Sequence, residues 1–243
     1  MERKIYIKGF PRYMDRTVVI HQPDFIPYIG FFHRLLHADI YIILDHVQMS
    51  KSGWVHRDQI KTQKGIEWIT VPIKKLGDQP IIREACIDLE NKLFKKNVNL
   101  IETNYTKAPF YKEIFPEFRN IYLAKHQLIA ELNQQLLRLL FDAFDIKIET
   151  VLSSDLGVTT LRSKMNADLV KSVGGTIYLS GTGAKDYHTD EPFEKNGIRV
   201  EWQKFIHPVY PQLYGEFIPY LSCVDLLFNC GIKKSREILR EIV

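Results

Sequence analysis

The feature that most restricts the fold of this chain is the alternation of short apolar runs with segments of helical periodicity. Residues 17–21 (TVVIH) and 40–44 (IYIIL) are apolar runs of strand length, and between them apolar side chains recur at positions 31, 32, 35, 36 and 38. That spacing predicts a helix, and the continuous apolar runs predict buried parallel strands. Strand, helix and strand within about thirty residues form a βαβ unit.

A second unit of this kind is predicted in the C-terminal half, with strands at 148–152 and 176–179 around a helix at 161–172. A helical subregion of about 90–145 lies between the two units. The other predicted elements, in chain order, are an irregular polar segment at 46–66, a short strand at 68–73, helices at 90–104 and 117–144, a short helix at 190–196, an edge strand at 198–202, and helices at 222–229 and 234–242.

The alternation predicts an α/β fold, with a mainly parallel, Rossmann-like sheet flanked by helices, a helical insertion and C-terminal helices. The length of 243 residues suits a single α/β domain over residues 17–243. Residues 1–16 precede the first clear core strand, and we interpret them as an N-terminal extension.

Composition excludes several classes of protein. Thirty-three basic and 29 acidic residues give a net charge of only +4, which argues against a nucleic-acid partner. No apolar run approaches the ~20 residues of a membrane helix, so we expect no membrane insertion. Three cysteines without metal-ligand spacing indicate buried thiols in a reducing compartment and no metal site, and the predicted localisation is cytoplasmic.

Ligands of open α/β sheets bind outside the carboxyl ends of the strands, so the polar residues at those ends are the candidate site. His21 and Gln22 end the first strand, and histidine is suited to general acid–base work. The alternative for His21 is a bond to a backbone carbonyl. Asp45 ends the next strand and is the alternate base, able to contact a metal, a ribose or an amine.

The loop at 180–185 follows another predicted strand. Its glycines allow backbone N–H groups to approach an anion, and its Ser, Thr and Lys side chains add donors. The alternative is a glycine-rich turn that needs only its backbone angles. Neither nucleotide-binding glycine motif is met. The candidate ligand contacts here are Ser180, Gly181, Thr182, Gly183, Lys185 and Tyr187.

Two further segments carry candidate binding residues. After Asp45, Gln48 is polar, the cations Lys51, Arg57 and Lys61 could neutralise phosphates, and Trp54 could cover a base or sugar ring. A solvated loop is the alternative. The segment with His207, Tyr210, Gln212 and Glu216 suits either a substrate-lining loop or a rigid packing segment anchored by prolines.

These segments together resemble the WbqC-like protein family. The resemblance runs from about residue 17 to 231 and rests on IHQPDFIPYIGFFHRLLHADIYIILDHVQMSKSGWVHRDQIKT, WITVPI, SSDLGV, YLSGTGAKDY, GIRVEWQ and HPVYPQLYGEFIPYLSCVDLLFNCG. His56 and Asp58 stand where the family tends to carry asparagines. The resemblance implies a cytosolic enzyme of bacterial surface polysaccharide (O-antigen) biosynthesis, and one family member is described as a glycine transferase. It supplies no set of catalytic residues.

A weaker likeness is to nucleotidyltransferase-like α/β folds, which include pantothenate synthetase, although the paired histidines of HxGH are absent here. The expected reaction is transfer of glycine or another acyl group to the amine of a nucleotide-linked amino sugar. His21 would be the base, Gly181 and Gly183 would supply oxyanion donors, Lys51, Arg57, Lys61 and Lys185 would hold a pyrophosphate, and Trp54 or Tyr187 would stack on a ring.

Two alternatives stay open. An ATP-dependent ligase would form an acyl-adenylate, whereas a binding module would hold a sugar nucleotide or a carrier protein without turnover. ATP or an acyl (aminoacyl) carrier thioester is the expected co-substrate, and an acyl carrier protein is the expected protein partner.

Overall fold

The computed structural model describes residues 15–74 and 79–242. Most of the predicted N-terminal extension, residues 1–14, lies outside this part of the chain. The strands are β1 (Thr17–His21), β2 (Ile40–Ile43), β3 (Arg57–Thr62), β4 (Gly65–Thr70), β5 (Glu149–Leu152), β6 (Ile177–Ser180) and β7 (Arg199–Trp202). The helices are α1 (Ile29–Leu36), α2 (Lys92–Tyr105), α3 (Tyr111–Leu123), α4 (Ile129–Phe144), α5 (Arg162–Ser172), α6 (Glu191–Glu194) and α7 (Cys223–Glu241), with 3-10 turns at Ile82–Glu84, Ser153–Leu156 and Thr182–Tyr187.

Five strands form one sheet in the order β5-β2-β1-β6-β7, and every pair is parallel. This confirms the predicted α/β fold with a parallel sheet. β7 lies at an edge of the sheet, as its alternating pattern predicted.

Successive side chains of a strand point to opposite faces of the sheet, and both faces of this sheet are buried. Val19 and Tyr41 belong to a large cluster that includes side chains of α1, α2, α3, α4 and α7. Val18 and Ile40 belong to a smaller cluster with α5 and α6. Continuous apolar runs such as that of β1 therefore serve two cores at once.

Two local predictions were wrong, and one near the C-terminus was right. Residues 46–66 are not irregular throughout, because β3 pairs with β4 in an antiparallel hairpin turned at Gly65, whose φ is 106°. The predicted helix 117–144 is two helices, α3 and α4, separated at Lys125 with a positive φ of 60°. The two predicted C-terminal helices are confirmed as the two halves of α7, which is kinked at Gly231, where φ is 77° and Phe110 packs in the space a side chain would need.

No helix among residues 15–74 and 79–242 combines the length and apolar character that a membrane-spanning segment requires.

Candidate functional site

The connections of the sheet create a crevice beside β1. From β1 the chain moves through α1 to β2 and later to β5 on one side, and it then returns to β6 on the other side of β1. Loops that leave β1 and β6 in opposite directions open a crevice at the carboxyl ends of these strands. A cavity of about 1300 Å³ lies there, and its lining includes His21, Ser180 and Arg34.

His21 ends β1 with a defined arrangement of its ring. Its Nδ1 lies 3.0 Å from the carbonyl oxygen of Gln22 and 3.5 Å from Oδ2 of Asp24. Because a carbonyl only accepts, Nδ1 carries the proton and donates it, which leaves Nε2 with a lone pair. Burial, and then the charge of Arg34, lower the pKa of His21 to about 3. The ring is therefore a neutral base with its Nδ1 side backed by a carboxyl group.

Asp24 and Asp58 are buried carboxyl groups that line the same cavity. Burial raises the pKa of Asp24 to about 7, against the opposing charge of Arg34. Burial also raises the pKa of Asp58 well above its ordinary value, although its Oδ1 accepts a hydrogen bond from the backbone N–H of Gln59 at 2.6 Å. The cavity thus holds two acidic groups whose pKa values are raised by burial.

Arg34 of α1 brings a guanidinium to the cavity, and the residue is only 7% exposed. Its Nε is buried and has no hydrogen-bond partner among the described residues. Gly181 makes room for it, since a Cβ at that position would lie 2.3 Å from Nη1 of Arg34. The glycine after β6 is therefore required for close approach of a side chain.

The polar walls of the cavity are held by hydrogen bonds. Nε2 of Gln203 donates to the carbonyl of Gly30 at 2.8 Å and ties the end of β7 to the start of α1. The hydroxyl of Ser180 donates to the Tyr178 oxygen at 3.3 Å. Asn166, also in the lining, has a buried Oδ1 without a partner in the described part of the chain.

A side chain of α4 holds the turn that follows β1. Asn133 is fully buried, and its Nδ2 donates to the carbonyl oxygens of Pro23 at 2.7 Å and Val55 at 2.6 Å. Because buried carbonyls need donors, this amide determines where the turn carrying Asp24 lies.

The mouth of the cavity is aromatic. Trp54, Tyr187 and Tyr220 line it with 44%, 73% and 56% of their surfaces exposed. Trp54 packs at 5.5 Å from Trp68, and the guanidinium of Arg57 lies 4.3 Å above the Trp68 ring. Exposed rings of this kind offer flat faces to a planar ligand group.

The structure brings eight of the predicted site residues to the cavity and places the others elsewhere. Those in the lining are His21, Gln22, Trp54, Ser180, Gly181, Thr182, Gly183 and Tyr187. Those that the described lining does not include are Asp45, Gln48, Lys51, Arg57, Lys61, Lys185, His207, Tyr210, Gln212 and Glu216.

Asp45 clamps two strands together. Its Oδ1 accepts hydrogen bonds from the hydroxyl of Ser153 and the backbone N–H of Ser154, both at 2.9 Å, and its Oδ2 accepts from the hydroxyl of Ser154 at 2.8 Å. The residue is 3% exposed. These hydrogen bonds join the ends of β2 and β5, so Asp45 has a structural contact here.

Lys61 belongs to a second buried polar cluster, behind the hairpin. Its Nζ donates to Oε1 of Gln212 at 3.2 Å and to the backbone carbonyl of Glu216. Nε2 of Gln212 in turn donates to Oδ2 of Asp225 at 2.8 Å, and Oδ1 of Asp225 accepts from the Tyr105 hydroxyl at 2.7 Å. Tyr210 is 4% exposed, and the charge of Asp225 adds to burial in raising its pKa. These side chains satisfy one another inside the protein.

The remaining predicted residues make local contacts. Nε2 of Gln48 donates to the carbonyl of Gln79 at 3.0 Å, and Lys51 is exposed. Nζ of Lys185 lies 5.4 Å from the Trp202 ring. Nδ1 of His207 donates to the carbonyl of Pro208 at 2.9 Å, and burial lowers the pKa of this imidazole.

Asp24, Asp58 and Arg34 are cavity residues that the sequence alone did not indicate. Asp24 lies two positions after Gln22, which ends the first predicted strand, so a search extended past that strand end could have found it. Arg34 lies in a helix with an apolar pattern, where an isolated arginine is typical of a solvated face.

Comparison with known proteins gives a consistent family match. The model of the WbqC-like protein family matches residues 22–237. A curated relative, the uncharacterized protein Rv1507c of Mycobacterium tuberculosis (strain ATCC 25618 / H37Rv), is 34% identical over 219 residues, which cover 89% of this chain and 94% of the relative. No solved structure matches the chain.

Proposed function

This chain belongs to the WbqC-like protein family, whose model matches it over residues 22–237, and on that premise we propose that it is an amide-forming transferase. It transfers glycine or another acyl group to the amine of a nucleotide-linked amino sugar in bacterial surface polysaccharide (O-antigen) biosynthesis. The observation that carries the proposal is the neutral His21 ring, with Nδ1 directed to Gln22 and Asp24 and Nε2 left as a base, at a cavity formed at the switch point of the sheet.

In the proposed step the amine nitrogen forms a bond to the acyl carbonyl carbon, and the bond from that carbon to the leaving thiolate or phosphate breaks. The amine proton passes to Nε2 of His21 and then to the leaving group. The backbone N–H groups of Gly181 and Gly183 are the proposed donors to the oxyanion.

Asp24 is the proposed positioning residue for His21. Its Oδ2 lies 3.5 Å from Nδ1 of His21. The Gln22 carbonyl sets the tautomer, and Asp24, once ionised above its pKa of about 7, stabilises the imidazolium that forms when Nε2 takes a proton and so opposes the burial that lowers the pKa of His21. Asp45, whose oxygens are bonded to Ser153 and Ser154, has no part in this proposal.

The size and rim of the cavity support a nucleotide-linked substrate. Its volume of about 1300 Å³ exceeds that of a typical drug-sized site, at roughly 300–1,000 Å³. Trp54 and Tyr187 at the mouth are suited to stacking on the base or sugar ring. Arg162, an exposed cation in the lining, is the proposed contact for the pyrophosphate.

One observation favours a second candidate, the ATP-dependent ligase. A ligase starts from a free carboxylate, and the partnerless Nε of Arg34 leaves a guanidinium available for one. The two reactions differ in whether pyrophosphate is released from ATP.

The test is product formation measured by mass spectrometry. Purified protein is mixed with UDP-, dTDP- or GDP-linked amino sugars and either a glycyl thioester or glycine with ATP. Amide product is expected with the wild type and with the His37→Gln protein, a matched control at an exposed histidine outside the cavity lining. His21→Gln is expected to lose product at least a hundredfold while still binding the sugar nucleotide.

Product that requires glycine and ATP, accompanied by pyrophosphate, would select the ligase. Sugar-nucleotide binding without product from any donor would contradict both reactions and leave a binding module. Equal turnover of the His21→Gln and wild-type proteins would remove His21 from the mechanism.

A further inference from the structure

Arg34 is a buried charge without a hydrogen-bond partner for its Nε within the described part of the chain. The residue is 7% exposed and lines the cavity. The nearby carboxyl group of Asp24 lies 3.5 Å from Nδ1 of the neutral His21 ring, and no ion pair within residues 15–74 and 79–242 includes Arg34. Burial of an unpaired ion is costly, so structures normally retain one where a further group completes it.

The surroundings of Arg34 keep its guanidinium accessible from the cavity. Gly181 provides the space that Nη1 occupies, because a Cβ there would come within 2.3 Å of it. Arg34 also belongs to the lining of the cavity of about 1300 Å³, so open space lies next to it. A small ligand group can therefore reach Arg34.

The charges that face this position favour a carboxylate over a phosphate. Arg34 shares the cavity with two buried carboxyl groups, Asp24 and Asp58, while the other arginine of the lining, Arg162, is exposed. A single guanidinium can neutralise the one charge of a carboxylate but not the two of a phosphate, and Asp24 and Asp58 add no positive charge whether protonated or ionised. A carboxylate carries one charge and matches the planar fork of a single guanidinium with two parallel hydrogen bonds.

We infer that Arg34 binds the carboxylate of a small-molecule substrate. The guanidinium and the adjoining Gly181 form this carboxylate subsite of the cavity. The inference deepens the proposed function and rests on it for treating the ligand as a substrate. Two sources have this chemistry, a free amino acid such as glycine and a sugar whose ring bears a carboxylate.

The test is binding, so it is independent of turnover. Melting temperature is followed while glycine, glucuronate or orthophosphate is titrated at constant ionic strength. The proteins are the wild type, Arg34→Met, Gly181→Ala, His21→Gln, and Arg119→Met as a charge-loss control on the exposed side of α3. Glycine or glucuronate is expected to stabilise the wild type, Arg119→Met and His21→Gln, and whichever stabilises identifies the source.

Arg34→Met is expected to weaken carboxylate binding at least tenfold and, without ligand, to melt at or above the wild-type temperature, because an unpaired buried charge is removed. Gly181→Ala should also weaken binding by displacing the guanidinium. Unchanged binding by both variants, or stabilisation by orthophosphate equal to that by the carboxylates, would overturn the subsite. An Arg34→Met protein that cannot fold would do the same by giving the guanidinium a structural role.

The two proposals fail separately. If no amide product is ever found but the Arg34-dependent stabilisation is observed, the proposed function fails and the subsite stands. If Arg34→Met forms amide product at the wild-type rate and binds the carboxylates normally, the subsite fails and the proposed function stands.

Discussion

Replacing Asp24 or His21 singly is expected to change how the stability of the protein depends on pH, in opposite directions. Burial raises the pKa of Asp24 from 3.8 to about 7, and burial with the Arg34 charge lowers that of His21 from 6.5 to about 3. Stability from Asp24 is therefore fully present below its unfolded pKa and is lost as pH rises to about 7. Stability from His21 is present above pH 6.5 and is lost as pH falls toward 3.

In the wild type these two contributions offset each other between about pH 4 and 6.5. The pair holds one proton in both states there, on Asp24 in the folded protein and on His21 in the unfolded one. Each contribution amounts to roughly 4–5 kcal/mol over its full range, at about 1.4 kcal/mol per pH unit. Because 31% of the His21 side chain is open to cavity water, this figure is an upper limit for the imidazole.

The free energy of unfolding is measured by urea denaturation at several pH values from about 4.5 to 7.5. Relative to the wild type, Asp24→Asn should gain stability as pH rises, by up to about 4 kcal/mol. His21→Gln should lose stability relative to the wild type as pH rises to 6.5, in the opposite sense. Asp155→Asn, an exposed carboxylate outside the cavity lining, should follow the wild-type profile. Parallel profiles for all four proteins would refute the opposed ionisation of Asp24 and His21.

Three further predictions concern the hydrogen bonds of Asp45 that join β2 to β5, the turn after β1 and the pH dependence of turnover. Asp45→Asn should lower the free energy of unfolding by about 2 kcal/mol in urea denaturation, because the residue joins two strand ends. The Kd of a cavity ligand should be unchanged, and a weaker Kd would show that Asp45 takes part in ligand binding. Asn133→Ala should cost about 2–3 kcal/mol, since two buried carbonyls lose their donor, and a change under about 0.5 kcal/mol would contradict that contact. In the wild type kcat/KM should rise with pH through about 7 as Asp24 ionises, and Asp24→Asn should lose this rise.

Much of the sheet could be predicted from the sequence because the relevant forces are local and repetitive. Apolar runs such as that of β2 are buried on both faces, and each was placed to within one or two residues. The hairpin was missed because its buried positions include Asp58 and Lys61, which local composition assigns to solvent. The Lys61 ammonium donates a hydrogen bond to Gln212, which lies 151 residues further along the chain. A contact between residues so far apart cannot be predicted from the local sequence.

The candidate site was predictable where it depends on strand ends and not where it depends on packing. The rule that ligands bind at carboxyl ends selected His21 and Gly181, which the structure places in one cavity. The same rule selected Asp45, but β2 and β5 are connected on the same side of β1, and the Ser153-Ser154 turn fills the space between their ends. Arg34 was missed because no local sequence signal shows that the guanidinium of an arginine in α1 packs against Gly181, which follows β6.

The central claim, that the cavity beside β1 is the ligand site, is tested most directly by filling it. Gly183 belongs to the cavity lining and has no atom within 4 Å of the position of a Cβ, so the unliganded Gly183→Phe protein should melt at the wild-type temperature. Calorimetric titration with the sugar nucleotide that stabilises the wild type most should then show at least a tenfold weaker Kd, while Gln48→Ala, outside the lining, binds normally. An unchanged Kd for Gly183→Phe would contradict the account and place the ligand elsewhere on the protein.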